Sequence, residues 1–300
     1  MRRVCAGSRV QARKAGVWRQ RIGVLRYYAE RVAVITGAGS GIGRALAVRL
    51  AAARARLALI DKDAAAVSRV ATECRIAGAQ SRVDVIDVTD REALIGSAAA
   101  VQAEFGRVDM VFAAAGVIHT GSLLSSEWAD LERVINVNLF GVLGTAKAFL
   151  PHMIASGGGR LVIFSSGFGL MAAPRYSAYC ASKSAVSALA QSLRLEMALA
   201  GHPISVSCVY PGAIRTPIVS RGTFAADVNQ ASVTDGFRRL ARMNADRAAE
   251  IILRQTTRRE GQVLVGADAR MAAWAVWAAG SSYPRLMSWV LRRRRRLSSL

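Results

Sequence analysis

Two serines, a tyrosine and a lysine in the stretch 161–186 have the types and spacing needed for proton transfer. Ser165 and Ser166 follow the apolar run LVIF, Tyr179 comes thirteen residues after Ser166, and Lys183 comes four residues after the tyrosine. On a helix, residues four apart lie on one face, which places the phenol beside the ammonium group. A phenol with a pKa of about 10 is a poor base at neutral pH, but a neighbouring cation favours the phenolate. The serine, at the end of a separate strand, could hold an alcohol or carbonyl oxygen against that phenol.

A glycine-rich turn upstream could bind a dinucleotide. The run RVAVIT from Arg31 reads as a buried strand, GAGSGIG follows it directly, and RALAVRLAAARA favours a helix. In this order Gly37 permits a tight turn, Gly41 lets the backbone approach a pyrophosphate, and Gly43 lets the helix lie close to the sheet. The free N–H groups of the helix N-terminus would then face the phosphates.

The second apolar strand, RLALI, ends in Asp61, about twenty residues beyond the glycines, where a dinucleotide fold places a carboxylate on the ribose hydroxyls. This favours NAD, because the 2′-phosphate of NADP would meet a like charge. Lys62 leaves NADP open as the alternative, since a cation there could receive that phosphate.

Strand and helix patterns continue to alternate along the chain. Helices are predicted at 63–77 and 90–105, and strands at 81–88 and 108–115. Repeated strand–helix units predict an α/β fold with a doubly wound parallel sheet of about seven strands, helices on both faces, and ligands at the carboxyl ends of the strands. Asp87, after the third strand, is placed to meet an adenine edge, although helix capping by Thr89 and Asp90 also accounts for the polarity of this turn.

Asn138 lies in the apolar segment NVNLFG, within a helix predicted from Glu127 to Leu150. Asparagine is a poor helix former and is costly to bury unpaired. We therefore expect it to have a partner, either a water or a backbone group near the site, or a purely structural one.

The strand ISVSCVY leads into PGAIRTP, close to the other end of the expected site. Pro211 and Gly212 would turn the chain over the nicotinamide end of a bound dinucleotide. Thr216 could hydrogen-bond a carboxamide or a phosphate there.

With these motifs in order, residues 30–266 resemble the short-chain dehydrogenase/reductase family, in its shorter branch. The resemblance rests on TGAGSGIG from Thr36, DV at Asp87, NVNL at Asn138, Ser166 with YCASK, and PGAIRT. The chain departs from the family's NNAG with AAAG, ending at Gly116, which affects some stabilising side-chain bonds but not the proton chemistry.

The resemblance implies a role for each matching position. Tyr179 would be the acid/base, Lys183 would lower its pKa and hold the ribose, Ser166 would orient the substrate oxygen, and Asn138 would anchor a water of the proton relay. No metal is expected. The implied cofactor-binding residues are Gly37, Ser40, Gly41, Ile42, Gly43, Asp61, Lys62, Asp87, Val88, Ala115, Gly116, Tyr179, Lys183, Pro211, Gly212, Ile214 and Thr216.

The basic charge is concentrated at the two ends of the chain. Of the net +21, residues 1–28 carry eight Lys or Arg without an acid and 285–300 carry six Arg without an acid, which leaves +7 for the body. A mildly basic body does not indicate nucleic acid. Residues 1–28 are expected to be a disordered tail, with a transit peptide or an over-long start as alternatives, and 29–266 to form the dehydrogenase domain.

The four cysteines are isolated, so neither a disulfide framework nor a zinc site is expected and a reducing, cytoplasmic location is the default.

Two later segments bear on the substrate. Residues 218–258 are expected to form a lid, whose apolar residues (Ile218, Val219, Phe224, Val228, Phe237, Leu240 and Met243) suit a lipophilic substrate or simply pack on the body. Residues 267–300 form an apolar and then Arg-rich extension. Its apolar run, Met271 to Tyr283, is too short to span a bilayer and is followed by Pro284. Its tryptophans and arginines suit an anionic lipid surface, or a helix that packs on the domain or on a partner subunit.

We therefore expect an NAD(P)-dependent oxidoreductase that transfers hydride between a nicotinamide and a secondary alcohol or ketone. The expected substrate is lipophilic, of sterol-, retinoid- or fatty-acyl-like type, and the expected assembly is a homodimer or homotetramer, with possible membrane contact through 271–300. The alternative is a catalytically idle dinucleotide-binding or sensing protein at a membrane surface, which would need a damaged Ser, Tyr or Lys.

Overall fold

The computed structural model describes residues 26–257 and 261–297. Within these ranges the main sheet has seven parallel strands in the order β7-β6-β5-β4-β1-β2-β3, and two short two-stranded sheets pair His119–Thr120 with Thr223–Phe224 and Ile214–Arg215 with Met243–Asn244. The strands are β1 Val32–Thr36, β2 Arg56–Asp61, β3 Ser81–Val85, β4 Met110–Ala113, β5 Gly159–Phe164, β6 Ile204–Pro211 and β7 Gly261–Val265. This confirms the predicted doubly wound sheet.

Helices connect and follow the strands. They are α1 Gly41–Ala52, α2 Ala64–Ile76, α3 Arg91–Phe105, α4 Trp128–Ile135, α5 Gly141–Ala155, α6 Ser177–Leu199, α7 Gln230–Leu240, α8 Ala245–Thr256, α9 Ala267–Ala279 and α10 Tyr283–Leu297. One layer of the core packs α1, α2 and α8 on the sheet, and the opposite layer packs α3, α5 and α6. Parallel strands need such cover on both faces, because their backbone and side chains are buried on both sides.

The central strands are the most apolar. Every residue of β1 (VAVIT) and β4 (MVFA) is buried, whereas β3 (SRVDV), at the sheet edge, is only partly covered. Strands β3 and β4 are shorter than the predicted 81–88 and 108–115, because pairing ends at Val85 and Ala113 and the chain then leaves the sheet.

The long helix predicted from Glu127 to Leu150 is present as the helical stretch Trp128–Ala155, with a π-helical turn inside it. Helix α4 ends at Ile135, a π-helical turn spans Asn136–Phe140, and α5 continues to Ala155. A π turn inserts one extra residue into a helix and changes the direction in which its side chains point. Here that turn contains Asn138.

The domain begins before residue 29. Tyr28 is buried in the core and its hydroxyl donates to the carbonyl of Leu253 at 2.8 Å, while Tyr27 accepts a hydrogen bond from Arg160. The predicted tail 1–28 is therefore too long at its end. Its remaining part, 1–25, lies outside the described residues.

The predicted lid 218–258 divides into two parts. Helix α7 stays at the surface with no fully buried residue, whereas α8 packs in the core, where Ala248, Ile252 and Leu253 are buried. The lid prediction is therefore wrong for α8, because its apolar face meets α1 and the sheet.

The C-terminal extension folds as two helices joined by a 3-10 turn at Gly280–Ser282. The break falls at Gly280, which has φ +51°, rather than at Pro284. Proline is tolerated in the first turn of a helix, where its missing N–H has no intrahelical partner.

Among the described residues, only the helical stretch Trp128–Ala155 has the length and apolar composition of a membrane span, and 56% of its most apolar window is buried in the molecule. A core helix of a folded domain meets the same criterion.

Candidate active site

The glycine turn between β1 and α1 is sterically fixed. Gly37 has φ +68°, and a Cβ there would lie 2.8 Å from the backbone of Ala115. A Cβ on Gly43 would collide with the carbonyl oxygen of Gly37. The side chain of Ser40 makes no capping hydrogen bond to α1. The turn thus presents the backbone of a helix N-terminus to the space beside it, as an anion site requires.

Asp61 lies at the end of β2, next to this turn. Its carboxylate accepts hydrogen bonds from the backbone N–H of Gly39 at 2.9 Å and of Asp63 at 3.0 Å. Both contacts fix the carboxylate at the edge of the cavity. Its remaining lone pairs suit the hydroxyls of a ribose.

Lys62 and Asp87 form an exposed pair, with 3.3 Å between the lysine Nζ and a carboxylate oxygen. Asp87 also accepts from the backbone and side chain of Thr89. Burial would raise the pKa of Asp87, but the bonds from Thr89 and the nearby Lys62 keep it below its ordinary value. Asp90 caps α3 by accepting from the N–H of Ala93. Asp87 therefore both shapes this turn and lines the cavity.

Ser166, Tyr179 and Lys183 come together at the carboxyl ends of the strands. Ser166 follows β5 and its Oγ accepts from the N–H of Phe168 at 3.1 Å, while its side chain is near enough to Tyr179 to lower the pKa of the phenol. Tyr179 and Lys183 lie one turn apart on α6 and are both buried. The lysine Nζ donates to the carbonyl of Phe164 at 2.9 Å and lies 5.9 Å from the centre of the tyrosine ring.

The electrostatics of this pair differ from the expectation that Lys183 lowers the pKa of Tyr179. Burial raises the pKa of Tyr179 to about 12, although the nearby side chain of Ser166 acts in the opposite direction. Burial also lowers the pKa of Lys183 to about 8. Burial is the largest cause of both shifts, and the ammonium group of Lys183 donates to the Phe164 carbonyl.

Asn138 is fully buried and its partner is the backbone of Val117. Its Oδ1 accepts from the Val117 N–H at 2.9 Å, and its Nδ2 donates to the Val117 carbonyl at 2.9 Å and to Ser182 Oγ at 3.1 Å. Both amide hydrogens are therefore used, and only Oδ1 could accept another bond. A Cβ at Gly116 would lie 3.2 Å from Oδ1 and 3.4 Å from the Nζ of Lys183, so this glycine keeps open the space between them.

The AAAG sequence after β4 lacks polar side chains, and neighbouring groups hold it in place. The N–H of Ala115 donates to Thr36 Oγ1 at 3.3 Å, and Asn138 fixes the chain just beyond Gly116.

The loop after β6 closes over the glycine turn. The N–H of Gly212 donates to the carbonyl of Val265, and the N–H of Ala213 donates to Asp268 on α9. A Cβ at Gly41 would lie 3.3 Å from the side chain of Thr216. Asp268, which the sequence analysis missed, thus connects α9 to the loop.

One cavity of about 1040 Å³ joins these groups. It is lined by every residue predicted to bind cofactor, and by Ser166. Asn138 lies behind this wall. We call the part at Gly37, Asp61 and Asp87 the glycine end, and the part at Ile218, Phe237 and Leu240 the lid end.

The lid end contains residues that the sequence analysis did not single out. Of the predicted lid residues, Phe224, Val228 and Met243 do not reach the cavity. The additional lining residues of the whole cavity include Ile118, Arg133, Phe168, Met171, Tyr176, Arg221, Ala269 and Ala272. These residues come from separate segments, and no short motif connects them.

His119 connects the segment at Ser126 to Thr223, which belongs to the predicted lid 218–258. Its buried ring contacts Thr223 Oγ1 through Nδ1 and Ser126 Oγ through Nε2, both at 2.8 Å. Because Ser126 donates its hydroxyl hydrogen to the carbonyl of Ser122, its oxygen accepts from Nε2. Nδ1 also lies 3.7 Å from a carboxylate oxygen of Asp130. No motif in the sequence predicted this role for His119.

The fold and this site define a dinucleotide-binding α/β protein with a Ser-Tyr-Lys group. The profile of the short chain dehydrogenase family matches residues 31–224. The chain is 44% identical over 259 residues to the "Putative oxidoreductase SadH" of Mycobacterium tuberculosis (strain ATCC 25618 / H37Rv), covering 86% of this chain and 94% of that protein. The chain belongs to the short-chain dehydrogenase/reductase family.

Two further proteins are similar to the chain, the first in sequence and the second in structure. Estradiol 17-beta-dehydrogenase 11 of Mus musculus is 34% identical over 192 residues, which are 64% of either chain. A short chain dehydrogenase/reductase from Burkholderia phymatum, solved in complex with NAD, superposes with a TM-score of 0.79 at 28% identity, over 84% of this chain and 94% of that one.

Proposed function

We propose that the protein is an NAD-dependent oxidoreductase that interconverts a lipophilic secondary alcohol and its ketone. The observation that carries the proposal is that Ser166, Tyr179 and Lys183 line the same cavity as the glycine turn, with the tyrosine and the lysine one helical turn apart. A bound nicotinamide would supply the hydride acceptor or donor.

The side chains would manage the substrate oxygen and its proton. Ser166 would hold the oxygen by a hydrogen bond, and Tyr179 would exchange the proton with it. With its raised pKa, Tyr179 is protonated at neutral pH and is ready to donate to a carbonyl oxygen, while alcohol oxidation requires its phenolate. The ammonium group of Lys183 would stabilise that phenolate across the buried space between them.

The choice of NAD rests on Asp61 and Lys62. Asp61 is held at the cavity edge by two backbone bonds, and its charge would repel a 2′-phosphate. Lys62 is paired with Asp87, which reduces its availability to such a phosphate. The relative from Burkholderia phymatum was solved with NAD.

The proposal of a lipophilic substrate is based on the lid end of the cavity, where Ile218, Phe237 and Leu240 present apolar side chains. The whole cavity, of about 1040 Å³, would admit a substrate of sterol, retinoid or fatty-acyl size beside the cofactor. The similarity to a protein named estradiol dehydrogenase agrees with this size class.

The test is an activity assay of the purified full chain with secondary alcohols of increasing apolar size. The absorbance of the reduced cofactor measures the rate. We expect kcat/KM to rise with apolar size, and to be at least about tenfold higher with NAD than with NADP. A preference for NADP would contradict the role of Asp61. Binding of NAD without turnover of any alcohol or ketone would favour the idle dinucleotide-binding protein.

We also propose a homodimer or homotetramer. Leu195 and Leu199 on α6 and Leu143 on α5 are exposed apolar side chains suited to a subunit contact. Light scattering of the purified protein would give the mass, and a monomer at micromolar concentration would contradict this proposal.

A further inference from the structure

The last two helices present large apolar side chains to solvent. On α9, Met271, Trp274 and Trp277 are 70%, 67% and 80% exposed. On α10, Leu286 is 55% exposed. Residues three apart are neighbours on a helix surface, so the side chains of α9 form a stripe. Large apolar side chains grouped in this way mark a contact surface more often than single exposed ones do.

The same segment is strongly basic. Residues 269–300 contain seven arginines and no acidic residue. Arg285 and Arg292 are exposed on α10, the helix that carries Leu286, and the sequence continues with four further arginines at 293–296. A surface that combines tryptophan with uncompensated arginine matches the interface of an anionic membrane, where the rings enter the headgroup layer and the guanidinium groups meet phosphates.

The inner side of α9 is already occupied by the active site. Ala269 and Ala272 line the cavity, and Asp268 accepts from the N–H of Ala213 in the loop after β6. At the start of α10, the hydroxyl of Tyr283 accepts from the N–H of Ala172, in the segment after Ser166. The two helices are therefore fixed to two loops of the site, and the stripe on α9 faces away from the cavity.

We propose that these helices dock the protein onto an anionic phospholipid surface. The docking surface, which we call the C-terminal face, consists of Met271, Trp274, Trp277, Arg285, Leu286 and Arg292. Only one helix then separates the lipid from the cavity, whose wall is shared by Ala272 and Leu240. If the proposed lipophilic substrate is correct, the substrate can pass from the membrane to the lid end over a short path. Membrane binding itself does not depend on that substrate.

The test measures sedimentation of the full chain with phosphatidylcholine vesicles and with vesicles that also contain phosphatidylglycerol. We expect binding to the anionic vesicles, weakening with added salt, and little binding to the neutral ones. Replacing Trp274→Ser and Trp277→Ser together should weaken binding at least about tenfold. Replacing Arg285→Gln and Arg292→Gln together should weaken it by roughly thirtyfold at low salt.

Matched controls separate the C-terminal face from general stickiness. Trp128→Ser removes a tryptophan that is 77% exposed on α4, and Arg69→Gln with Arg75→Gln removes two exposed charges from α2. Neither control should change binding more than about twofold. NAD affinity, measured in parallel, reports whether each variant is folded, whatever its substrate.

Two outcomes would overturn the proposal. The first is the absence of wild-type binding to anionic vesicles at low salt. If the Trp274→Ser, Trp277→Ser variant then also has a lower native mass than the wild type, the face contacts a second copy of the chain instead. The second is equal loss of binding in the control and test variants.

Discussion

At the glycine end of the cavity a tight backbone turn and a carboxylate held by backbone N–H groups form part of the wall, whereas at the lid end side chains from a surface helix form part of it. The turn at Gly37 lies against the backbone of Ala115, and Asp61 is held by two backbone N–H groups. Phe237 and Leu240 project from α7, a helix without a fully buried residue. A backbone wall tolerates almost no change of shape, while a wall of surface side chains can change with little effect on the fold. Substitutions should therefore have large effects at the glycine end and graded effects at the lid end.

Tyr179 lies between the two ends, and its removal should have the largest effect. We expect Tyr179→Phe to lower kcat by about a thousandfold, because general acid–base catalysis contributes on the order of 10²–10⁴. The dissociation constant of NAD should change less than about threefold, since the ring remains in place. Steady-state rates and a binding titration check both statements. Wild-type turnover by this variant would refute the proposed mechanism.

Gly37→Ala tests the backbone wall directly. The added Cβ would lie 2.8 Å from the backbone of Ala115, at a φ that alanine rarely adopts, so the turn must open. We expect the affinity for NAD to fall by about a hundredfold. Gly96→Ala is the control, because its Cβ would meet nothing within 4 Å on an exposed part of α3. An unchanged NAD affinity in Gly37→Ala would show that the turn can accommodate the added Cβ, which would contradict a rigid backbone wall at this end.

Lys183, like Tyr179, lies between the two ends of the cavity. Lys183→Met should lower the activity and raise the stability of the fold. Because the pKa of Lys183 falls to about 8 on folding, the unfolded chain binds more protons between pH 8 and its ordinary pKa. The buried ammonium therefore destabilises the fold most below pH 8, and this penalty disappears as the pH rises toward 10.5.

At pH 7 and without added cofactor, we expect Lys183→Met to be more stable than the wild type. Its free energy of unfolding should be larger by about 2 kcal/mol, after allowance for the lost hydrogen bond to Phe164. The variant should also be nearly inactive. Denaturant melts between pH 7 and pH 10.5 should show the difference shrinking. A less stable variant at pH 7 would mean that the lysine is a net stabilising group.

The same contrast explains which features the sequence could predict. The turn from Gly37 to Gly43 and the pair Tyr179 and Lys183 are each local in sequence, so spacing alone could predict the turn before α1 and the shared helix of the pair. Asp61 needed only the end of the next strand. These positions depend on one turn, one strand end or one helix face.

The remaining features depend on packing between distant segments. Ala272 and Met171 reach the cavity only because α9 and the segment after Ser166 fold over it. The π turn at Asn138 and the burial of α8 are likewise results of tertiary packing, which overrides local propensity. The raised pKa of Tyr179 reflects the burial of the whole site, which a spacing of four residues cannot express.

The smallest effect is expected at the lid end, with Phe237→Ala. Phe237 is half-buried and lines the cavity from α7, so its truncation should remove apolar contact with the substrate and leave the reacting groups in place. We expect KM for a lipophilic alcohol to rise by about tenfold while kcat stays within twofold of the wild type. This pattern is expected when the lost contact stabilises the bound substrate and the transition state equally. Ile76→Ala, an exposed apolar truncation at the end of α2 and outside the cavity lining, should leave both constants unchanged. If Phe237→Ala instead lowered kcat as strongly as Tyr179→Phe does, the lid end would also be a rigid part of the catalytic site, and the contrast with the glycine end would disappear.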